Sequence, residues 1–373
     1  MARKLNSTCD ESPFEVFRAS HWEWAAVFYL PRDLNPNSWN ASWKVFILLI
    51  CGIAILAPET FGQTVKPLEL MRKIPLPDIT GRIDHMALDS KRDRLLVAAL
   101  ASHRLEVVDL KSHEVVHSVF GLNEPQGVVY VPDFDRIFVA DGGGGQVHAY
   151  TGKSYAEVGS IDFGDDADNL RYDASARRVY VGYGTGAIGS IDVTSMQRKG
   201  NVELRGHPES FQLEKAGTKL YVNVPTGREV VVIDRATMSV SMSWALNALS
   251  ANFPMSLDEK NHRLFVGTRQ PARVLVQDTI SGKAIVELLI AGDTDDLFYD
   301  GARRQLYVSC GEGVLQVFRE EEQNHFKELS RIPTAPGART SLLDSEGGRL
   351  FLAVPRSSST VAAIWVYRIN PLK

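Results

Sequence analysis

Residues 125–162 read PQGVVYVPDFDRIFVADGGGGQVHAYTGKSYAEVGSID. Four runs rich in β-branched and aromatic residues stand out: PQGVVYV (125–131), RIFVAD (136–141), QVHAY (146–150) and YAEVGSID (155–162). Between them lie PDFD and GGGG, whose residues supply turn conformations. Alternating side chains punctuated by Gly, Asp and Pro are the pattern of short antiparallel strands joined by tight turns. The stretch therefore predicts one four-stranded sheet.

The second run recurs along the chain. RLLVAAL, RIFVADG, RVYVGYG, KLYVNVP, RLFVGTR, QLYVSCG and RLFLAVP begin at Arg94, Arg136, Arg178, Lys219, Arg263, Gln305 and Arg349, in steps of 42, 42, 41, 44, 42 and 44 residues. No segment between 65 and 369 carries a sustained helical period. Four strands in a repeat of this length are the signature of a propeller blade. The seventh copy, Ala338 to Ile369, has room for only three strands, and LELMRKIPL (68–76) can supply the fourth. Pairing the two ends in one blade removes an exposed sheet edge. The expected fold is all-β: a seven-bladed β-propeller of four-stranded antiparallel blades over 65–369, its last blade closed by the N-terminal strand.

KLYVNVP and QLYVSCG are close to the motif that names the YVTN-repeat β-propellers, and the chain resembles these YncE-like exported proteins over more than four-fifths of its length. The resemblance implies an exported or periplasmic propeller acting as a binding protein. It brings no general catalytic motif.

Composition is that of a globular protein: 373 residues, 44% hydrophobic, 23% charged, with a net charge of −4. There is no basic surplus, which argues against a nucleic-acid partner. Of the three cysteines, Cys9 and Cys51 lie ahead of the repeats and Cys310 within them, so the repeat region can form no internal disulfide and no CxxC zinc cluster.

Residues 45–57, VFILLICGIAILA, follow Lys44 and are too short to span a bilayer comfortably; they match the apolar core of a signal peptide. Segment 44–62 is read as signal-peptide-like, with Thr60-Phe61-Gly62 as a cleavage site and a short signal anchor as the alternative. Cleavage would leave an exported, periplasmic or extracellular propeller; membrane contact would come only through an uncleaved segment. Residues 1–43 are an extension of unclear status.

The repeat frame separates scaffold from site. Five positions before each anchor stand Asp89, Val131, Asp173, Glu214, Asp258, Asp300 and Asp344; the six acidic ones are explained as turn residues whose carboxylates accept backbone N–H groups. Ten positions before it stand Asp84, Gln126, Asp168, Glu209, Phe253, Asp295 and Arg339, followed by His85, Gly127, Asn169, Ser210, Pro254, Asp296 and Thr340. These begin the innermost strands and should ring one mouth of the central channel. So many carboxylates need a cation, raised pKa values or nearby arginines. Arg82, Arg269, Arg273, Arg339 and Arg356 are positioned to supply the last.

The candidate ligand-binding set is thus Arg82, Asp84, His85, Gln126, Asp168, Asn169, His207, Glu209, Asn252, Asp295, Asp296 and Arg339. It admits a self-satisfied salt-bridge lattice, a bound divalent cation held from Asp84, His85, Asp168, Glu209, Asp295 and Asp296, or an organic ligand. No other cofactor is implied. Residues 184–189, GTGAIG, match a dinucleotide-binding pattern but precede another strand, where that site needs a helix. Cys310 has no local His partner, and Phe138, Tyr180, Tyr221, Phe265, Tyr307 and Phe351 share one register, as core residues would. The leading expectation is an exported binding protein that uses its channel mouth for a small molecule or a protein, with no catalysis evident. The alternative is a metal-assisted hydrolase, lactonase or lyase, with His85 or His207 as base.

Overall fold

A computed structural model describes residues 66–371; the expected extension and signal-like segment lie outside the described residues. Seven separate four-stranded antiparallel sheets form, six of them running from an innermost to an outermost strand in chain order. All seven second strands begin at the repeat positions Arg94, Arg136, Arg178, Lys219, Arg263, Gln305 and Arg349. In blade 2 the strands are Pro125–Val131, Arg136–Asp141, Gln146–Thr151 and Glu157–Asp162. The fourth starts two residues later than expected. Tyr155 takes a positive φ of 57°, closes the turn with its N–H on the Thr151 carbonyl, and stacks its ring on His117 of blade 1.

Blade 7 contains Ser341–Asp344, Arg349–Val354 and Ala362–Ile369, and Leu68–Leu76 completes it as outermost strand. That strand pairs antiparallel with Ala362–Ile369, from Leu68 opposite Ile369 to Leu76 opposite Ala362. Ile74 and Leu76 are fully buried there. The ring is closed by hydrogen bonds between the two ends of the described chain.

Apolar residues gather in seven clusters, each shared by two neighbouring blades. One joins blade 7 to blade 1 through Phe351, Ile364, Leu95 and Val97. The aromatics of the common register, Phe138, Tyr180, Tyr221, Phe265, Tyr307 and Phe351, are buried in these interfaces, each contributing about 1.5–3 kcal/mol of apolar burial. Turn carboxylates act as their position implies: Asp89 accepts from the backbone of Lys91 and Arg92, and Asp300 from Ala302 and Arg303. Gly184 to Gly186 join strands Arg178–Tyr183 and Ala187–Asp192 as a hairpin.

The innermost strands share an irregularity that positions the channel mouth. In blade 3 the register passes from Ala167 opposite Tyr183 to Leu170 opposite Val181, so Asp168 and Asn169 together face Gly182. Blades 2 and 5 do the same with Gln126-Gly127 and Phe253-Pro254, and blade 6 shifts at Asp295. In blade 1 Asp84 N–H donates to the Ala98 carbonyl while Ala98 N–H donates to the His85 carbonyl; Glu209, Ser210 and Asn223 repeat this in blade 4. A bulge of this kind bends the strand and re-aims side chains. Both residues of the pair can then line the mouth. The second-strand residue they share is Ala98, Ala140, Gly182, Asn223, Gly267, Ser309 or Ala353, small in six blades of seven.

Candidate functional site: the channel mouth and the chamber behind it

Most of the candidate residues converge where the innermost strands begin. Arg82, Asp84, His85, Asp168, Asn169, Glu209 and Asp295 line one small gap, with Ser210 and Phe253. The gap is about 20 Å³, room for about one water molecule.

The two sides of the mouth neutralise their carboxylates differently. On the blade 6 side arginines do so. Asp295 lies between Arg269 Nη2 at 2.7 Å and Arg339 Nε at 3.0 Å, and Asp293 accepts from Arg339 Nη1 at 2.8 and 2.9 Å. Arg269 also lies 4.0 Å from the Phe253 ring centroid.

On the blade 3 side a histidine takes that place. His207 Nδ1 donates to the Gly184 carbonyl at 2.6 Å, and Nε2 lies 3.5 Å from Asp168 Oδ2. Asp166 Oδ2 is 3.5 Å from Nδ1. Two donating ring nitrogens require the imidazolium. Burial opposes that charge, but Asp168, the Gly184 carbonyl and Asp166 together push the His207 pKa up to about 9. Gln126 turns to Asp166 Oδ1 at 3.0 Å.

Between these sides burial raises the pKa of three carboxylates, Asp84, Glu209 and Asp296, while that of Asp168 is lowered. Asp84 is buried, with Arg82 Nη2 at 2.9 Å from Oδ2 and His85 Nε2 at 3.8 Å from Oδ1. The Arg82 approach is poorly aligned, so Oδ2 accepts no hydrogen bond. Burial raises the Asp84 pKa against the pull of His85 and Arg82. Asp168 moves the other way, because His207, His85 and Arg82 outweigh its burial. His85 is half-buried, which disfavours its charge, yet Asp84, Asp296 and Asp168 hold its pKa above the usual imidazole value. Burial, reinforced by Asp168, pushes Glu209 up to about 7. Asp296 also reaches about 7 through burial, although its Oδ2 accepts from Ser341 N–H at 2.7 Å. Among the described residues Glu209 has no ion-pair partner, and the buried Asn169 Oδ1 accepts no hydrogen bond.

Two expectations need correction. Asn252 does not reach the mouth: it is fully buried and donates to Asn223 Oδ1 and the Glu229 carbonyl, both at 3.0 Å. Arg273 donates to the Ala272 carbonyl at 2.9 Å, and Arg356 to the carbonyls of Ile79 and Pro77, so neither neutralises the ring. Among the described residues no three His, Cys, Asp or Glu side chains are grouped to hold a metal ion. Five of the six candidate ligands line the one small gap, but Asp295 is held there by arginines, and Asp296, outside it, accepts a backbone N–H. Cys310 is buried, and its thiol is pushed up to about 12 by that burial.

Behind the mouth the channel widens into a chamber of about 410 Å³. Its lining has only His85 in common with the small gap. Its polar groups include Arg171, Gln212 and Ser256, which stand seven positions before their anchors in a ring otherwise made of Ala87, Val129, Phe298 and Leu342. Counting seven back along the repeat would have found them.

The fold and channel define the chain as a seven-bladed β-propeller. A chain in the crystal structure of the mitotic checkpoint complex superposes with a TM-score of 0.69 at 15% identity, over 79% of this chain and 91% of that one. A chain of Kuenenia stuttgartiensis hydrazine synthase gives 0.66 at 16% identity, over 81% and 98%. These likenesses establish the fold alone. No family model matches the chain, and no curated protein sequence matches it.

Proposed function

We propose that the protein is an exported binding protein of the YVTN-repeat kind, which holds a small molecule or a segment of a partner protein at its channel mouth. The observation that carries this reading is a set of incompletely partnered acceptors at the mouth: Asp84 Oδ2 and Asn169 Oδ1, which are buried and accept no hydrogen bond, and the half-buried Glu209 carboxylate, which has no ion-pair partner among the described residues. Buried polar groups left unpaired cost stability, and a ligand bearing hydrogen-bond donors would satisfy them. A propeller can serve as scaffold for complexes or for catalysis, and the superposed chains come from one protein complex and one enzyme. The metal-assisted alternative has no cluster of three donor side chains in its favour among the described residues.

The test is a screen of hydroxyl- and amine-bearing small molecules by thermal shift, followed by titration calorimetry on Asp84→Asn and Glu209→Gln. Hits should lose about tenfold or more in affinity in both variants, as expected for a lost charge-assisted bond. Hits indifferent to both substitutions would place binding elsewhere and sink the reading. Sequencing the N-terminus of the mature protein tests export: it should begin near residue 62.

A further inference from the structure

Arg171 occupies an unusual place. It lies on the innermost strand of blade 3, Ala167–Asp173, and lines the chamber. Among the described residues no carboxylate comes within ion-pairing distance of it. Its hydrogen bonds are to neutral groups: Nη1 to the Leu170 carbonyl at 2.8 Å and Nη2 to Ser210 Oγ at 3.4 Å. One face lies 5.5 Å from the Phe211 ring centroid. A guanidinium carries five N–H donors in a planar fork suited to a carboxylate, so most of this donor capacity is unused.

The groups around it sharpen the choice of occupant. Ser256 Oγ accepts from Tyr299 N–H at 3.0 Å, which leaves its hydroxyl proton to donate. His85 lines the same chamber, and its neighbouring carboxylates favour the imidazolium. Asp296 is the opposing charge, and burial brings its carboxyl close to half-protonated at neutral pH. The remaining wall is apolar, with Leu88, Val129, Leu257, Phe298 and Leu342. The volume is within the range of small-molecule sites.

We propose that this chamber is a binding site for an amphipathic organic anion, its carboxylate on Arg171 and Ser256 and its apolar body against Val129, Phe298 and Leu342. It rests on the reading of this propeller as a channel-binding protein, and adds a second, deeper subsite with its own ligand chemistry. The arginine is then held unpaired in the empty protein so that the ligand can pair with it.

The probe is octanoate, titrated calorimetrically into the mature propeller beside octanamide and octylamine. Octanoate should bind one per chain and octylamine should not. Arg171→Met should weaken octanoate by about tenfold or more, the effect of losing a charge-assisted bond, while its unfolding temperature stays equal or rises, because a half-buried charge without an ion-pair partner has been removed. Val129→Phe, which fills the chamber and leaves the arginine, should also abolish binding. Absent octanoate binding, equal binding of octylamine, or an Arg171→Met protein that is strongly destabilised with unchanged affinity would each overturn the proposal. If ligands from the mouth screen respond to Asp84→Asn and Glu209→Gln but octanoate gives no heat, the chamber alone is retired; failure of both retires the reading beneath it.

Discussion

His207 is tied to blade 3 by its charge. It bridges Gly184 to Asp168 and titrates near 9 in the folded chain against an ordinary 6.5. A raised histidine pKa stabilises fully below 6.5, and that stabilisation disappears as pH climbs to about 9. His207→Gln should therefore lower stability by ~1–3 kcal/mol at pH 6 and by almost nothing at pH 9, measured by chemical unfolding at both. A penalty independent of pH would mean that the ring's shape matters and its charge does not. Gly127 illustrates a different constraint. A Cβ there would lie 2.1 Å from the Asp168 carbonyl oxygen, on the backbone of the neighbouring innermost strand. Gly127→Ala should thus cost ~1–3 kcal/mol by pushing blade 2 from blade 3, read as a lower unfolding midpoint. Neither role is visible at the residue itself. His207 lies outside the anchored positions, and Gly127 holds a ring position that does not reveal how closely the next strand passes.

Among elements, the strand Leu68–Leu76 depends most on its partner. Its burial pattern leaves only Leu68, Ile74 and Leu76 inside, so by itself it would be a weak strand with little apolar surface to bury. Pairing with Ala362–Ile369 makes it the outermost strand of blade 7. Ile74→Ala should cost ~2–4 kcal/mol, measured by denaturant unfolding. Removing residues 66–76 should expose the edge of Ala362–Ile369 and produce concentration-dependent association in sedimentation. A truncated chain that stays monomeric with unchanged stability would show that ring closure does not need this strand. The innermost strands carry the other element-level lesson. Their two-against-one pairing brings residues such as Asp168 and Asn169 to the mouth together, which strict alternation along a strand would forbid.

At the scale of the molecule, the mouth makes stability depend on pH in one direction. Glu209 and Asp296 titrate near 7 when folded, against ordinary values of 4.5 and 3.8. The folded chain then holds protons that the unfolded chain has released, so stability falls between about pH 4 and 7. His207 extends the fall to about pH 9. On the acid side, Asp135 is held near 2, first by its hydrogen bond from Arg92, and Glu320 near 2 by Arg263 and Tyr299 against its burial. These two stabilise above their ordinary values and lose that contribution as pH drops toward 2. The unfolding temperature should peak at about pH 4.5–5 and decline on both sides. A midpoint that rises steadily from pH 5 to 9 would contradict this account of the mouth.

Much of this architecture is local and therefore legible in the chain. The period, the four strands per blade, the turn carboxylates and the seven strand starts follow from side-chain alternation and turn chemistry, which act between near neighbours. The composite blade was also readable, because a seventh repeat one strand short demands a partner. What required the tertiary structure were relations across the channel. Asp168 and Asp295 occupy equivalent positions, yet His207 accompanies one and Arg269 with Arg339 the other. Asn252 turned inward and Arg273 and Arg356 turned to carbonyls, choices set by side-chain reach. Arg171 and Gln212 carried a signal in the repeat, but their meaning came only when seven strands enclosed a chamber around them. Periodicity determines which residues share a ring; three-dimensional packing decides which of them meet, because Coulomb and hydrogen-bond energies depend on distances that sequence spacing does not contain.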